Sequence, residues 1–409
     1  MLKRLITFLL FGLHLTSAVP QTTYKTDTIK LNYLITNRIN LQDSLINWDL
    51  VFDSTFYEKD IYWLGEAHGI KYSYDALWIL FKHIHEKVKF RYFLIESGYP
   101  AEFYLNKYLE TGNEELLNIS FESFRGGFNN NQNLFDFFCK LYKYNQNLDP
   151  KDRIKVVALD YTQNNIFSSR FLRSLLLEHV QCLELPRVGN KFVNKPIKNT
   201  DRLLHIYEQL YADLLNDKSK YVNCLDSSYF AYQYTLRNIT SSWISELTNF
   251  LDVREVLMFD NFKIRNQDLD FKKNKAFAYF GSNHCYLEKT KGFESFSSRI
   301  KKSDPQLSIV SIVMKYAKSK TRAPVNTTLL SIILPDTKGS INWPFSNNWN
   351  IPTKLWDDNI SLISLNKDLS PFQKSRWFIL GYLNGFHTTD YFQYVVFIKN
   401  SPAAAKIQN

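Results

Sequence analysis

The sequence predicts an α/β fold: a mostly parallel sheet flanked by helices, with a helical insertion over the edge at which the strands end. Short apolar runs alternate along the chain with segments of helical periodicity, a pattern typical of a parallel sheet with helices on its faces. Successive residues within each run are apolar, as expected of strands that are covered on both faces. They lie at residues 61–64, 91–98, 154–160, 275–284, 307–314 and 391–398.

One long stretch interrupts this alternation. From residue 167 to about residue 260 the pattern is helical, with recurring Leu, Tyr and Phe and no strand alternation, and this predicts the insertion. A chain of 409 residues is longer than one compact core usually needs, so both two domains and one large domain with an insertion fit the length. We predict a single α/β domain over residues 19–409 that carries the helical insertion.

Two local expectations accompany the fold. Residues 341–356 are rich in Asn, Trp and Pro and are predicted to form loops. His83 and His85 lie two positions apart on the helix predicted after the first strand, and both are expected on its solvent side.

The first eighteen residues have the pattern of a signal peptide. A basic start, Met1 to Arg4, precedes an apolar run from Leu5 to Leu15, and small residues follow up to Ala18. The apolar run is shorter than the roughly 20 residues that cross a bilayer. The sequence therefore predicts an exported protein, periplasmic or secreted, that is cleaved near Ala18 and has no stable membrane insertion.

Composition and missing motifs narrow the class of function. The formal charge is +10, or +8 without Lys3 and Arg4, and the basic residues are interspersed with acids. A nucleic-acid partner would need a basic face, so we expect a small-molecule substrate instead. The chain has no Gly-x-Ser-x-Gly elbow, His-Glu-x-x-His, phosphate loop or dinucleotide fingerprint. An enzyme of this sequence would use His and carboxylates acting on water, or a metal.

The cysteines do not form a metal-binding pattern. Their spacing is wide and contains no Cys-x-x-Cys pair; they are Cys139, Cys182, Cys224 and Cys285. Export permits a disulfide, and Cys182 with Cys224 is the predicted pair. Cys285 follows His284, which leaves two interpretations open: a nucleophile, or a small buried residue at a strand end.

Four of the apolar runs stop at an ionisable side chain. The first ends in Gly65-Glu66-Ala67-His68-Gly69, and the others end at Glu96, Asp160 and His284. The carboxyl ends of parallel strands share one edge of a sheet, so these groups are expected to converge in one crevice. An acid at a strand end can also be only a helix cap, but four such ends together indicate a site.

These motifs, in this order, resemble those of the erythromycin esterase-like proteins. The resemblance rests on Gly65 to Gly69, on Glu96, on Arg254-Glu255-x-x-Met258-x-x-Asn261, on Asn283-His284 and on the last strand at 390–398. It spans roughly residues 55–400. The wider group includes haem-uptake proteins of the ChaN type, Tiki proteases and a toxin domain. The resemblance implies an α/β core with a helical region over a deep cleft.

The resemblance also implies roles. His68 would be the general base that activates water to open an ester or lactone, and Glu66 would orient it or share its proton. Glu96 and His284 would line the cleft. Arg254 would stabilise the developing oxyanion and Glu255 would fix Arg254, although by residue type alone this pair is typical of an exposed helix surface.

One departure from the family keeps alternatives open. The macrolide esterases usually place two residues between the acid and the His, whereas Ala67 alone lies there in this chain, which is closer to the ChaN and Tiki members. The alternatives are therefore a metal site formed by Glu66, His68, Glu96 and His284, with His and carboxylate ligands that suit zinc or manganese, and a haem-binding protein without esterase activity.

Overall fold

The computed structural model describes residues 28–161, 164–194, 200–247, 250–324, 340–346, 357–377 and 383–408. The predicted signal peptide, residues 1–18, lies outside this part of the chain. Among the described residues, no helix is long and apolar enough to cross a membrane.

An eight-stranded sheet forms the centre of the protein. Its order is β1-β9-β10-β6-β2-β5-β3-β4, and the six strands from β10 to β4 run parallel to one another. The strands are β1 Arg38–Asn40, β2 Ile61–Glu66, β3 Tyr92–Ile95, β4 Lys155–Ala158, β5 Ala276–Gly281, β6 Ile309–Ala317, β9 Ile360–Ser364 and β10 Tyr394–Lys399. At the other edge, β9 is antiparallel to both β10 and β1. The predicted mostly parallel sheet is confirmed.

Helices cover both faces of the sheet and form the long region between β4 and β5. The described helices are α1 Thr28–Thr36, α2 Ser54–Tyr57, α3 Lys71–Val88, α4 Tyr99–Thr111, α5 Glu114–Phe121, α6 Gln132–Gln146, α7 Asn165–Glu178, α8 Arg187–Asn194, α9 Thr200–Asn216, α10 Lys218–Leu225, α11 Tyr229–Leu247, α12 Phe250–Leu269, α13 Phe271–Asn274, α14 Phe296–Ser303 and α15 Thr388–Tyr391. A short 3₁₀ turn, Ser282–Cys285, follows β5.

The strands are buried on both faces because successive side chains of a strand point in opposite directions. Leu64 packs on one face in a core that includes Phe81 of α3 and Phe137 of α6. Trp63 packs on the other face in a core that includes Met258 of α12 and Phe296 of α14. The continuous apolar runs of the sequence are explained by this two-sided cover.

The helices α7 to α11 have a hydrophobic core of their own. It includes Leu172, Tyr207 and Leu236, which are fully buried. Cys182 and Cys224 are joined there by a disulfide, with Cα atoms 5.7 Å apart, so the predicted pair is confirmed.

Two local expectations were wrong. Residues 341–345, within the predicted loop region, belong to strand β8 (Ser340–Phe345), which pairs with β7 (Ser319–Pro324) in a separate antiparallel sheet. Residues 347–356 lie outside the described residues. His83 and His85 are both buried rather than exposed. His83 stacks on Trp48 and hydrogen-bonds to a tyrosine hydroxyl, and burial lowers the pKa of His83 and of His85 to about 4.

Candidate active site

The turn after β2 positions the first two site residues. Gly69 has a φ of +75°, and a Cβ there would lie 2.6 Å from the carbonyl oxygen of Arg322, so this position requires glycine. Gly65 permits the 3₁₀ turn after β5 to approach, because a Cβ on Gly65 would lie 3.0 Å from Sγ of Cys285. The two glycines thus allow neighbouring chain segments to pack closely against the turn that carries Glu66 and His68.

Glu66 and His68 form an ion pair. Nδ1 of His68 pairs with Oε1 of Glu66, which is buried, whereas the His68 side chain is 27% exposed. Burial opposes a charge on His68, but the carboxylates of Glu66 and Glu96 outweigh it and raise the pKa of His68 to about 9. Burial also raises the pKa of Glu66, although His68 opposes that shift. His68 has the most exposed side chain of the six charged site residues, and its Nε2 points away from Glu66.

Glu96 lies at the centre of the site and connects its two halves. Its Oε2 accepts a hydrogen bond from the backbone N–H of Gly281 at 2.7 Å and lies 3.7 Å from Nε2 of His68. Its Oε1 lies 2.5 Å from Nη2 of Arg254 and 3.4 Å from Nε2 of His284. Burial alone would raise the pKa of Glu96, but His284 and Arg254 hold it well below the usual range.

Arg254 enters the site from α12, above the ends of the strands. Besides Glu96, it binds Asp160, with Nη2 to Oδ2 at 2.6 Å and Nε to Oδ1 at 3.2 Å. Asp160 follows β4 and is fully buried. Burial disfavours the guanidinium charge, yet Asp160 and Glu96 raise the pKa of Arg254 well above its ordinary value. Asp160 therefore belongs to the charge network of the site.

Glu255, the next residue of α12, pairs with His284 rather than with Arg254. Its Oε1 lies 2.6 Å from Nδ1 of His284, and its Oε2 accepts a hydrogen bond from the backbone N–H of Phe296 at 2.5 Å. Against the effect of burial, the carboxylates of Glu255 and Glu96 raise the pKa of His284 to about 10. The expected contact between Glu255 and Arg254 is replaced by this His284 contact in the described structure.

A cavity opens beside His68. Its polar lining comes from Glu66, His68, Glu96, Asn129 and Tyr279, and the remaining lining is aromatic and aliphatic. The cavity lies on the face of the sheet that α3 and α6 cover, and it reaches Glu96, which also binds Arg254.

The centre of the site is poorly suited to a metal ion. Among the described residues, no group of three or more His, Cys, Asp or Glu side chains is arranged to hold one. Glu96, a ligand candidate, is already bound to the guanidinium of Arg254, and His284 is bound to Glu255. A divalent cation would be repelled by Arg254 and would have to break these pairs.

The structure brings all six candidate residues together and adds Asp160 to them. Ion pairs connect these six residues into one network: Glu66, His68, Glu96, Arg254, Glu255 and His284.

Cys285 is buried, and burial with nearby carboxylates raises the pKa of its thiol well above normal, so Cys285 is a packed residue and not a nucleophile.

Sequence reasoning missed Gly281 and Tyr279. A Cβ on Gly281 would contact Glu96, His68 and His284 at 3.4–3.6 Å, and Tyr279 lines the cavity. Both lie in the apolar run before His284. The sequence pattern there predicts a strand, but it does not indicate that these two residues face the site.

Known structures support the fold assignment. No family model and no curated protein matches the chain. A succinoglycan biosynthesis protein is 13% identical with a TM-score of 0.65 over 94% of this chain and 99% of its own. A Bacillus cereus protein is 15% identical, with a TM-score of 0.63 over 92% of this chain and 98% of its own. A mutant of erythromycin esterase EreC in its open conformation is 12% identical, with a TM-score of 0.60 over 90% of this chain and 97% of its own.

At these identities the similarity concerns the fold alone, since one fold can carry many activities. This chain has the fold of erythromycin esterase EreC, which confirms at the level of the fold the resemblance that its motifs indicated.

Proposed function

We propose that this protein is an exported hydrolase that cleaves an ester or lactone with a water molecule activated by His68. The observation that carries the proposal is the pairing of His68 Nδ1 with buried Glu66, while the His68 side chain as a whole remains 27% exposed. A base of this kind needs one nitrogen fixed by a carboxylate and the other free to take a proton.

The chemistry follows from that pairing. With Nδ1–H donating to Glu66, the lone pair of neutral His68 lies on Nε2. As water attacks the carbonyl carbon, Nε2 takes its proton, and the carboxylate of Glu66 stabilises the imidazolium that forms. When the bond to the alcohol oxygen breaks, the same proton passes from Nε2 to the leaving oxygen.

The other half of the network supplies fixed charge. Nη2 and Nε of Arg254 are bound by Asp160 and Glu96, whereas Nη1 has only a long contact of 3.4 Å with Nε2 of His284, so Nη1 is the guanidinium atom that we assign to the developing oxyanion. Glu255 and Glu96 keep His284 positioned and charged. Preorganised charges of this kind stabilise a transition state without having to reorganise during the reaction.

The alternative is a haem- or metal-binding protein of the ChaN or Tiki type. Its ligands would be drawn from Glu66, His68, Glu96 and His284. Since Arg254 already binds Glu96 at the centre of that set, the geometry favours the hydrolase. Stoichiometric metal in the purified protein, with activity lost to a chelator, or a saturable Soret shift on titration with haem, would favour the alternative.

The proposal is tested by mass spectrometry of a macrolide, lactone and ester panel incubated with the mature protein. Wild type is compared with His68→Ala and with His387→Ala, a matched substitution of a histidine outside the charge network whose side chain is 40% exposed. General-base catalysis contributes roughly 10²- to 10⁴-fold in rate. We expect a gain of one water mass that is lost in His68→Ala and kept in His387→Ala. Hydrolysis that survives in His68→Ala refutes the assignment.

A further inference from the structure

We propose that the hydroxyl of Tyr279 holds the water molecule that His68 activates; the catalytic part of this inference rests on the proposed hydrolase function. Tyr279 would then be a third group, with His68 and Glu96, that contacts the reacting water.

The strand pattern brings Tyr279 to the site. It lies on β5 two residues before Gly281, so both positions share one face of the sheet. In register, Tyr279 lies beside Leu64 of β2, and Gly281 lies beside Glu66. Because Gly281 has no side chain, the space in front of the Tyr279 ring stays open toward Glu66 and His68. Tyr279 therefore lines the same cavity as those residues.

The hydroxyl of Tyr279 differs from those of its two neighbours. Tyr74 and Tyr316 also lie near Glu66. The Tyr74 hydroxyl accepts a hydrogen bond from Nδ2 of Asn131 at 2.7 Å, and the Tyr316 hydroxyl accepts one from the backbone N–H of Ala67 at 3.0 Å. The Tyr279 hydroxyl is buried, its residue is 6% exposed, and it has no hydrogen-bond partner among the described residues.

Buried polar groups in folded proteins nearly always have a partner, protein or water. The cavity in front of Tyr279 is small, with space for about one or two water molecules. A water is therefore the partner that fits this hydroxyl.

Three of the polar groups around the cavity can hold one water molecule between them. Nε2 of neutral His68 and Oε2 of Glu96 are both acceptors, and they are 3.7 Å apart, a separation that one water can bridge with its two hydrogens. Tyr279 then donates its hydroxyl hydrogen to the water oxygen. One lone pair of that oxygen remains for attack on the substrate carbonyl, while Nε2 takes the proton.

The protonation state of Tyr279 suits this task. Burial, reinforced by the negative charges of Glu66 and Glu96, raises the pKa of Tyr279 well above its ordinary value. The phenol thus stays protonated and remains a donor across the pH range in which His68 titrates.

The first test compares Tyr279→Phe with Tyr74→Phe, using p-nitrophenyl acetate as the probe. Tyr74→Phe is a matched control, since it removes a phenol near Glu66 whose hydroxyl is already bound to Asn131. We expect Tyr279→Phe to lower kcat roughly 10-fold, the upper value of one hydrogen bond between neutral groups that positions the water, with KM unchanged. Added methanol competes with water as nucleophile, so the ratio of methyl ester to acid should change in Tyr279→Phe alone. A Tyr279→Phe enzyme with normal kcat and a normal product ratio overturns the proposal.

The second test does not depend on activity. In a crystal structure of the wild-type protein, we expect a water peak within about 3.2 Å of both the Tyr279 hydroxyl and Nε2 of His68. The peak should be lost in Tyr279→Phe. If wild type hydrolyses no ester but the peak is present, the hydrolase function fails and the water site stands. If the peak is absent, the water site is overturned.

Discussion

Replacing Gly281 by alanine should separate catalysis from folding. The backbone of Gly281 has φ −56° and ψ 140°, a conformation open to any residue. A Cβ there would lie 3.4 Å from Oε2 of Glu96, 3.5 Å from Nε2 of His68 and 3.6 Å from Cδ2 of His284. These are ordinary van der Waals distances, so no neighbour has to move. We expect the free energy of unfolding to stay within about 0.5 kcal/mol of wild type.

Activity should respond differently. A water bonded to Nε2 of His68 and Oε2 of Glu96 has its oxygen about 2.9 Å from each. The methyl group of Gly281→Ala would contact the same two atoms from the β5 side, so it competes for that position. If the base can no longer hold its water, kcat should fall at least ~10²-fold, the lower end of what general-base catalysis contributes.

Gly65→Ala is the contrasting variant. Its Cβ would lie 3.0 Å from Sγ of Cys285 and 3.0 Å from the backbone Cα of Ser282, so these neighbours must give way by a few tenths of an ångström. Overpacking of this kind costs about 1–3 kcal/mol. Urea unfolding and kcat should be measured for both variants. The reasoning is refuted if Gly281→Ala keeps both wild-type stability and wild-type kcat.

Two further predictions follow from charge and covalent structure. His68 must lose its Nε2 proton to act as a base, so kcat/KM should rise with pH toward a plateau above about pH 9. Glu66→Gln removes a carboxylate that raises the pKa of His68, so in this variant the rise should occur at lower pH. A flat pH–rate profile for wild type would contradict this. The disulfide Cys182–Cys224 spans 42 residues, and closing such a loop stabilises the folded state by about 4 kcal/mol. Thermal unfolding with reductant should therefore show a clearly lower Tm, and an unchanged Tm would count against a structural role.

Much of the site could be predicted because it depends on a rule of topology. Glu66, Glu96, Asp160 and His284 each follow an apolar run, and parallel strands end at one edge. The chain order alone therefore indicates that these side chains converge, without any knowledge of which strands are neighbours. The strand order itself was not predicted.

Arg254 and Glu255 could be assigned only through the family resemblance. Both lie on α12, and a charged pair on a helix is typical of a solvent-exposed surface. Arg254 is nevertheless half-buried and paired with Asp160 and Glu96, acids that lie 94 and 158 positions away in sequence. Periodicity within one helix contains no information about such distant partners.

The wrong and missed assignments have the same cause. His83 is buried because Trp48 stacks on it, and the helix pattern could not predict that contact. Tyr279 and Gly281 resemble any other residues of an apolar strand until the positions of Glu66 and His68 are known. Local sequence predicts which residues form a strand or helix better than it predicts which distant residues their side chains contact.

The strand order has a consequence for the time at which the site forms. The central strand β2 is paired with β5 and β6: Ile61 lies beside Ala276 and beside Ile309. Contacts between such distant segments form slowly, because a long loop must close before they can be made. A nascent chain that ends before α12 contains Glu66 and His68 but lacks Arg254, Glu255 and His284. The charge network therefore cannot assemble before the chain has been synthesised as far as His284.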